Sequence, residues 1–214
     1  MSVFFALLPA YLLGSMNGSL MLGRLRGVDI RQHGSGNAGG TNALRTQGKW
    51  FALGAVLIDV AKGWVAAAWL ADLPRLLAGG TAAAIPVWLA AGCGFAAVLG
   101  HVLPVWHGFR GGKGAATLVG ALLALDGSLL IPLFAMWLLV VTTLGFVGLA
   151  TIVAAITLPC YLLAVRAGQP PTLLLFAVSA AVLIIVTHWR NLARMLAGRE
   201  PRARRLWLLV RTFR

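Results

Sequence analysis

Seven apolar stretches, separated by short polar or glycine-rich segments, run along this chain at about residues 2–24, 50–72, 82–104, 114–127, 129–146, 148–165 and 172–188. A helix needs about 20 apolar residues to cross the hydrocarbon of a bilayer, so these stretches predict membrane helices. The fourth is short, which predicts a helix that is tilted, half-inserted or packed inside a bundle. The fifth and sixth are divided only by "TTLGFVGLA", readable as a turn or as a kink. The pattern predicts an all-α integral membrane protein, a compact bundle of about seven transmembrane helices forming one domain over residues 1–214.

Composition removes the soluble alternative. Of 214 residues, 60% are hydrophobic and 11% charged, and the mean hydropathy is +0.89, too apolar for a soluble domain of this size. The 26 glycines fit membrane helices, whose backbones approach closely where side chains are small. A formal net charge of +13 raises nucleic acid as a partner. The basic residues, however, sit in short segments flanking apolar runs, so no nucleic-acid partner is expected.

That distribution predicts a topology instead. With the N-terminus outside, the inward segments hold Arg24, Arg26, Arg31, Arg45, Lys49, Arg110, Lys113 and everything from Arg190 onward, while the outward loops keep only Arg75 and Arg166. An odd number of spans puts the C-terminus in the cytoplasm, as the excess of inward positive charge requires. The first run lacks basic residues before it and has Arg24 and Arg26 after it, the reverse of a cleavable signal. The basic tail, residues 199–214, is expected to meet anionic headgroups. Cys93 and Cys160 are isolated thiols in apolar runs, offering neither a disulfide framework nor a metal-site spacing. There is no internal repeat of the kind found in transporters built from related halves.

Three polar segments fall on the same expected cytoplasmic side. In residues 31–49, Gly34, Gly36, Gly39 and Gly40 free the backbone to turn N–H groups inward, and Ser35, Asn37, Thr41 and Asn42 add side-chain donors. Arg45 can hold a phosphate with two parallel bonds. The plain alternative is a flexible loop of turn-forming residues. In residues 108–117, Gly111, Gly112 and Gly114 flank Lys113 ahead of a helix that includes Thr117, so backbone donors, a helix N-terminus and an ammonium gather at one place. The G-x-x-x-x-G-K-[ST] spacing is absent, so ATP hydrolysis has no support. In residues 188–201, His188, Asn191 and Arg194 fall on one face of an expected helix, with Glu200 as a counter-charge. Inside the second apolar stretch, Asp59 and Lys62 lie one turn apart, either a mutually neutralising pair or a ligand pair.

Other chemistries are excluded by what is missing. The four histidines are not spaced as a zinc site, so no metal is expected, and there is no G-x-S-x-G nucleophile elbow. No histidine has an acidic residue five positions on, so the His-x4-Asp signature of acyl-CoA-using acyltransferases is absent.

Taken in order, "HGSGNAGGTNALRTQG", "DVAKG", "GHVLPVWHGFRGGKGAAT" and "HWRNLARMLAGREP" resemble the acyl-phosphate-dependent glycerol-3-phosphate acyltransferase family, over about residues 11–201. The resemblance implies an enzyme of the bacterial cytoplasmic (inner) membrane, with its active site facing the cytoplasm. It would move an acyl group from acyl phosphate to the sn-1 hydroxyl of glycerol 3-phosphate, giving lysophosphatidic acid and inorganic phosphate, the first step of phospholipid synthesis. It implies no cofactor, acyl phosphate being a co-substrate, no obligatory protein partner, and membrane lipids as surroundings. Carried over by motif, Ser35, Arg45, Lys113, His188 and Asn191 would bind phosphate and act in catalysis. Gly34, Gly36, Asn37, Thr41, Asn42, Gly111, Gly112, Gly114, Thr117, Arg194 and Glu200 would shape the pocket, with Asp59 and Lys62 facing it or the bundle interior. Two departures are visible: "GSMNGS" stands where the family often has "GSIP", and Gly40 where alanine is common. The rival reading is a small membrane transporter of an organic phosphate, which disfavours itself by keeping nearly all polar content on one face.

Overall fold

The computed structural model describes residues 4–77, 79, 86–203 and 206–207. The beginnings of the first and third apolar stretches, and most of the basic tail beyond residue 203, lie outside these described residues. Within them the chain is helical, with no strand. In order the helices are α1 (Phe4–Gly14), α2 (Gly18–Leu25), α3 (Gly40–Gln47), α4 (Lys49–Ala68), α5 (Leu73–Leu77), α6 (Val87–Val102), α7 (Ala115–Asp126), α8 (Leu130–Leu144), α9 (Val147–Ala164), α10 (Pro171–Thr187) and α11 (Trp189–Leu196). They fall into two compact units, residues 1–126 and 127–214.

Among the described residues, four helical runs are long and apolar enough to cross a membrane: Lys49–Leu77, Trp88–His107, Ala115–Leu144 and Val147–Ala164. Counting each bent pair, α1 with α2 and α10 with α11, as one span raises the number to six. The fourth and fifth apolar stretches of the sequence account for the difference from seven, because they form one helical run through a 3-10 turn at Gly127–Leu129. Polar spacing there is too short to force the chain out of helix.

Both bent pairs turn by 49°, and each bend has a polar cause. Between α1 and α2, Asn17 caps the second helix, its Oδ1 accepting from the Leu20 N–H at 3.1 Å, while Ser15 Oγ donates back to the Tyr11 carbonyl at 3.0 Å. Between α10 and α11, the His188 ring turns onto its own helix and Nδ1 meets the Ile184 carbonyl at 2.8 Å. At these two places an apolar stretch becomes two helices around a polar side chain that bonds the backbone.

The first unit is held by small residues. Its apolar centre contains Ala6, Ala10, Ala66, Cys93 and Ala97, all fully buried, and two glycines let α4 and α7 touch backbone to backbone. A Cβ on Gly63 would strike the Thr117 carbonyl, and one on Gly120 would strike the Val60 carbonyl. With lipid tails as apolar as leucine, this close packing rather than the hydrophobic effect drives association. In the second unit α9 packs on α8, α10 and α11. Residues after α11 return to the α8–α9 junction, where the Ala203 N–H donates to the Gly145 carbonyl at 2.8 Å and the Arg202 guanidinium lies 4.0 Å from the Trp207 ring centroid.

Large apolar side chains cover the outside, among them Phe4, Ile131, Phe134 and Leu175. Exposed Trp50, Trp106 and Trp189 stand beside the three polar segments, the position of a membrane–water interface belt. Gly120→Val should drive a branched side chain into the α4 backbone and cost about 1–3 kcal/mol. A thermal scan in detergent should show a lower unfolding midpoint, and an unchanged midpoint would mean that the α4–α7 contact is not tight.

Candidate functional site

The first polar segment is built around Asn42. Its side chain is buried in α3 and every bond it makes goes to the loop that precedes it. Oδ1 accepts from the Ser35 N–H at 2.9 Å, and Nδ2 reaches the carbonyls of Ile30, His33 and Asn37 at 3.2, 3.0 and 3.1 Å. One amide thus folds residues 30–37 into an arch. Gly34 turns beneath it with φ +59, and a Cβ there would strike Asn42 Oδ1. The expected donor Asn42 is therefore spent on shaping the loop. What the arch leaves exposed is Ser35 at its crown, and Thr41 and Arg45 one turn apart along one face of α3.

The base of the arch is an ion pair. Arg31 Nη2 meets Asp29 Oδ2 at 2.8 Å and its Nη1 donates to the carbonyls of His107 and Arg110 at 3.0 and 3.1 Å, so the arginine binds the first polar segment to the second. The hydrogen bonds from Arg31 hold the Asp29 carboxyl below its ordinary value, outweighing the smaller opposing effect of burial. A carboxylate shifted this way stabilises the fold at neutral pH and loses its contribution only in acid, as pH falls below the usual carboxylate range.

The second segment leaves α6 through a turn in which the Gly111 N–H donates to the Val102 carbonyl and the Gly112 N–H to the His101 carbonyl, each at 3.1 Å. Gly114, buried and at φ +89, then redirects the chain into α7, and half-buried Lys113 stands between the two glycines. Thr117 is fully buried in the first turn of α7, on the contact with α4. The two segments touch, since a Cβ on Gly112 would meet the Ala38 carbonyl, and that same carbonyl accepts from the Asn17 amide of the α1–α2 break at 3.0 Å.

Below both loops lies a cluster that the sequence half revealed. Asp59 and Lys62 form a buried ion pair, Nζ to Oδ1 at 2.9 Å. The same Oδ1 accepts from the Gly18 N–H at 3.0 Å, and Nζ donates to the Met16 carbonyl at 3.0 Å. The pair therefore satisfies the backbone groups freed by the break between α1 and α2. A third member, His101, brings Nδ1 to 3.0 Å from Lys62 Nζ and 3.2 Å from Asp59 Oδ1. Of the two readings open for Asp59 and Lys62, this geometry favours the structural one. No motif or spacing singles out His101, although an ionisable residue inside an apolar stretch is itself a signal.

The third segment belongs to the second unit. Its side chains meet at Glu200, whose Oε1 accepts from Asn191 Nδ2 and whose Oε2 accepts from Arg194 Nε, both at 2.6 Å. The expectation of a continuous helical face is corrected here by the bend at His188, but Asn191 and Arg194 do share a side of α11, joined by the carboxylate. A carbonyl only accepts, so in the bond between His188 Nδ1 and the Ile184 carbonyl it is Nδ1 that carries a proton. Asn191 also packs its amide over Gly148 of α9.

Comparison with known proteins gives one answer. The profile of the glycerol-3-phosphate acyltransferase family matches residues 4–198. The chain is 40% identical over 208 residues to the glycerol-3-phosphate acyltransferase of Synechococcus sp. (strain JA-3-3Ab), covering 97% of this chain and 96% of that one. It is 38% identical over 202 residues to that of Aquifex aeolicus (strain VF5), covering 94% and 100%. Among solved structures it is similar to the integral membrane glycerol 3-phosphate acyltransferase PlsY. The glycerol 3-phosphate form gives a TM-score of 0.81 at 37% identity, covering 94% of this chain and 96% of that one. The lysophosphatidic acid form gives 0.79 at 37% identity, covering 94% and 95%.

Asn42→Asp keeps the shape of the side chain but replaces three donated bonds with oxygen facing oxygen. Leaving those buried carbonyls unpaired should cost about 3 kcal/mol. Hydrogen–deuterium exchange over residues 30–42 should quicken in the variant; equal protection would remove Asn42 as the organiser of the arch.

Proposed function

Because the chain belongs to the glycerol-3-phosphate acyltransferase family, we propose that it transfers an acyl group from acyl phosphate to the sn-1 hydroxyl of glycerol 3-phosphate. The products are lysophosphatidic acid and inorganic phosphate. The single observation that carries the reading furthest is the tie between the first two polar segments: Arg31, at the base of the Ser35 arch, holds the His107 and Arg110 carbonyls just before the Gly111–Lys113 turn. An exposed Ser35 hydroxyl with the Arg45 and Lys113 cations in the same unit suits phosphate, and both proposed substrates carry one.

In the reaction, the glycerol hydroxyl oxygen attacks the acyl carbonyl carbon, an ester C–O bond forms, and the bond from that carbon to the phosphate oxygen breaks. The phosphate leaves with the electron pair, and the hydroxyl proton goes to a phosphate oxygen. A mixed anhydride is already activated, so the protein's work is to orient the two substrates and neutralise phosphate charge. No covalent intermediate and no cofactor enters this scheme. Arg45 and Lys113 take phosphate charge, the Ser35 hydroxyl directs it, and Gly34, Gly36, Gly112 and Gly114 shape the turns that place these groups. His188 Nε2 and the Asn191 amide polarise the reacting groups, with Arg194 and Glu200 holding Asn191 in place.

We place the enzyme in the bacterial inner membrane with its N-terminus outside and its polar segments in the cytoplasm, for which the inward excess of arginine and lysine is the support. The rival, an organic-phosphate transporter, becomes an outcome of the test.

The test is acyl transfer by the purified protein in lipid, with glycerol 3-phosphate and either palmitoyl phosphate or palmitoyl-CoA. Product should form from the acyl phosphate alone, and Lys113→Ala should lower kcat/KM by about 100-fold or more, the usual loss when one charge-stabilising donor is removed. No product from either donor, in protein that unfolds at its normal temperature, would overturn the enzyme reading and favour transport.

A further inference from the structure

We infer that His101 is a positioning residue, fixing the backbone beside Lys113 by carrying the rigid geometry of the Asp59–Lys62 pair up to the glycine turn. The inference rests on the proposed reaction and adds to it a residue that does not touch substrate.

The geometry runs through the ring and the main chain of one residue. On one edge, Nδ1 lies 3.0 Å from Lys62 Nζ and 3.2 Å from Asp59 Oδ1, accepting from the first or donating to the second according to the ring's tautomer. On the other edge, Nε2 occupies the space that a Cβ on Gly112 would need, with the Ala38 carbonyl next to it. Between them, the His101 carbonyl accepts the Gly112 N–H at 3.1 Å. The ring is almost completely buried, so it has no alternative place to go. Gly112 is thereby gripped from below by a hydrogen bond and faced by an aromatic edge.

The anchor itself is stiff. Lys62 Nζ meets the Asp59 carboxylate at 2.9 Å and the Met16 carbonyl at 3.0 Å, with His101 Nδ1 3.0 Å away beside them. Asp59 Oδ1 adds the Gly18 N–H. A buried pair held by these contacts resists movement, because displacement strands a charge in apolar surroundings. Lys113 follows Gly112 directly, so the height of its ammonium above the membrane interior is set by where His101 stops the turn. A misplacement of about 1 Å in a group that orients a reacting phosphate is worth up to about 100-fold in rate.

The experiment compares His101→Ala, His101→Asn, Gly112→Ala and the double variant His101→Asn with Gly112→Ala, in lipid, by kcat, KM for each substrate, unfolding midpoint and deuterium exchange over residues 110–114. Asparagine keeps a polar atom near the place of Nδ1 and vacates the place of Nε2. His101→Ala should lower kcat/KM about 10-fold or more and speed exchange at residues 111 and 112, with His101→Asn recovering part of both. The double variant should lose less than the product of its single losses, since both changes act on one contact. Wild-type kcat and KM in His101→Ala, or losses that multiply and follow the unfolding midpoint alone, would overturn the positioning role. Should His101→Ala fail to fold, the asparagine cycle decides by itself. A wild-type protein inactive with both acyl donors would instead sink the proposed reaction, while the exchange measurement would still report whether His101 holds the turn.

Discussion

A carboxylate and an ammonium buried among membrane helices persist only when paired and hydrogen-bonded, and Asp59 and Lys62 meet that demand by completing another helix's broken backbone. The carboxylate takes an N–H at the start of α2, where a helix carries its positive end, and the ammonium takes a carbonyl from the turn before it. The break between α1 and α2 and the ion pair on α4 are therefore one feature. Neither is tolerable alone: the break would leave backbone groups unpaired in apolar surroundings, and the pair would lack partners.

The polar chemistry of the first unit stands on this foundation. Asn17, inside the break, caps α2 with its oxygen and holds Ala38 with its nitrogen. His101, at the end of α6, joins the pair from the other side and carries the glycine turn. The exposed groups Ser35 and Arg45 are positioned by residues that spend their own hydrogen-bonding capacity internally. Asn42 shows the division most clearly, since one side chain closes four bonds and leaves Ser35 to face outward. Preorganised donors of this kind need no rearrangement when charge arrives, which suits a reaction whose difficulty lies in handling phosphate. The second unit uses a carboxylate for the same purpose, Glu200 fixing the amide of Asn191 and the guanidinium of Arg194 with one oxygen each.

Small residues make these arrangements possible. Where Gly63 and Gly120 allow α4 and α7 to meet at the backbone, Asp59, Lys62 and Thr117 are all brought into the buried interior. A larger side chain at either glycine would separate the helices that frame the ion pair. Glycine in this chain thus serves two separate ends, packing in the helices and turning in the loops.

The apolar stretches, the three polar segments in their order and the small-residue packing were all legible along the chain, because hydropathy and glycine content act locally and leave their mark at the positions concerned. The ordered motifs also carried the family, and the side chains that the arch leaves exposed, Ser35 and Arg45, were among those singled out. The linear pattern was silent on which polar residues are spent inside the protein: Asn42 reads as a donor for a ligand and is an organiser of the loop. His101 reads as an isolated histidine and is the third member of a buried cluster with residues 39 and 42 positions away. The bends at Asn17 and His188, too, interrupt stretches whose hydropathy is continuous. Hydropathy sums the cost of leaving water one residue at a time, whereas the partner that makes a buried polar group affordable comes from a distant part of the chain and is specified only when the helices pack.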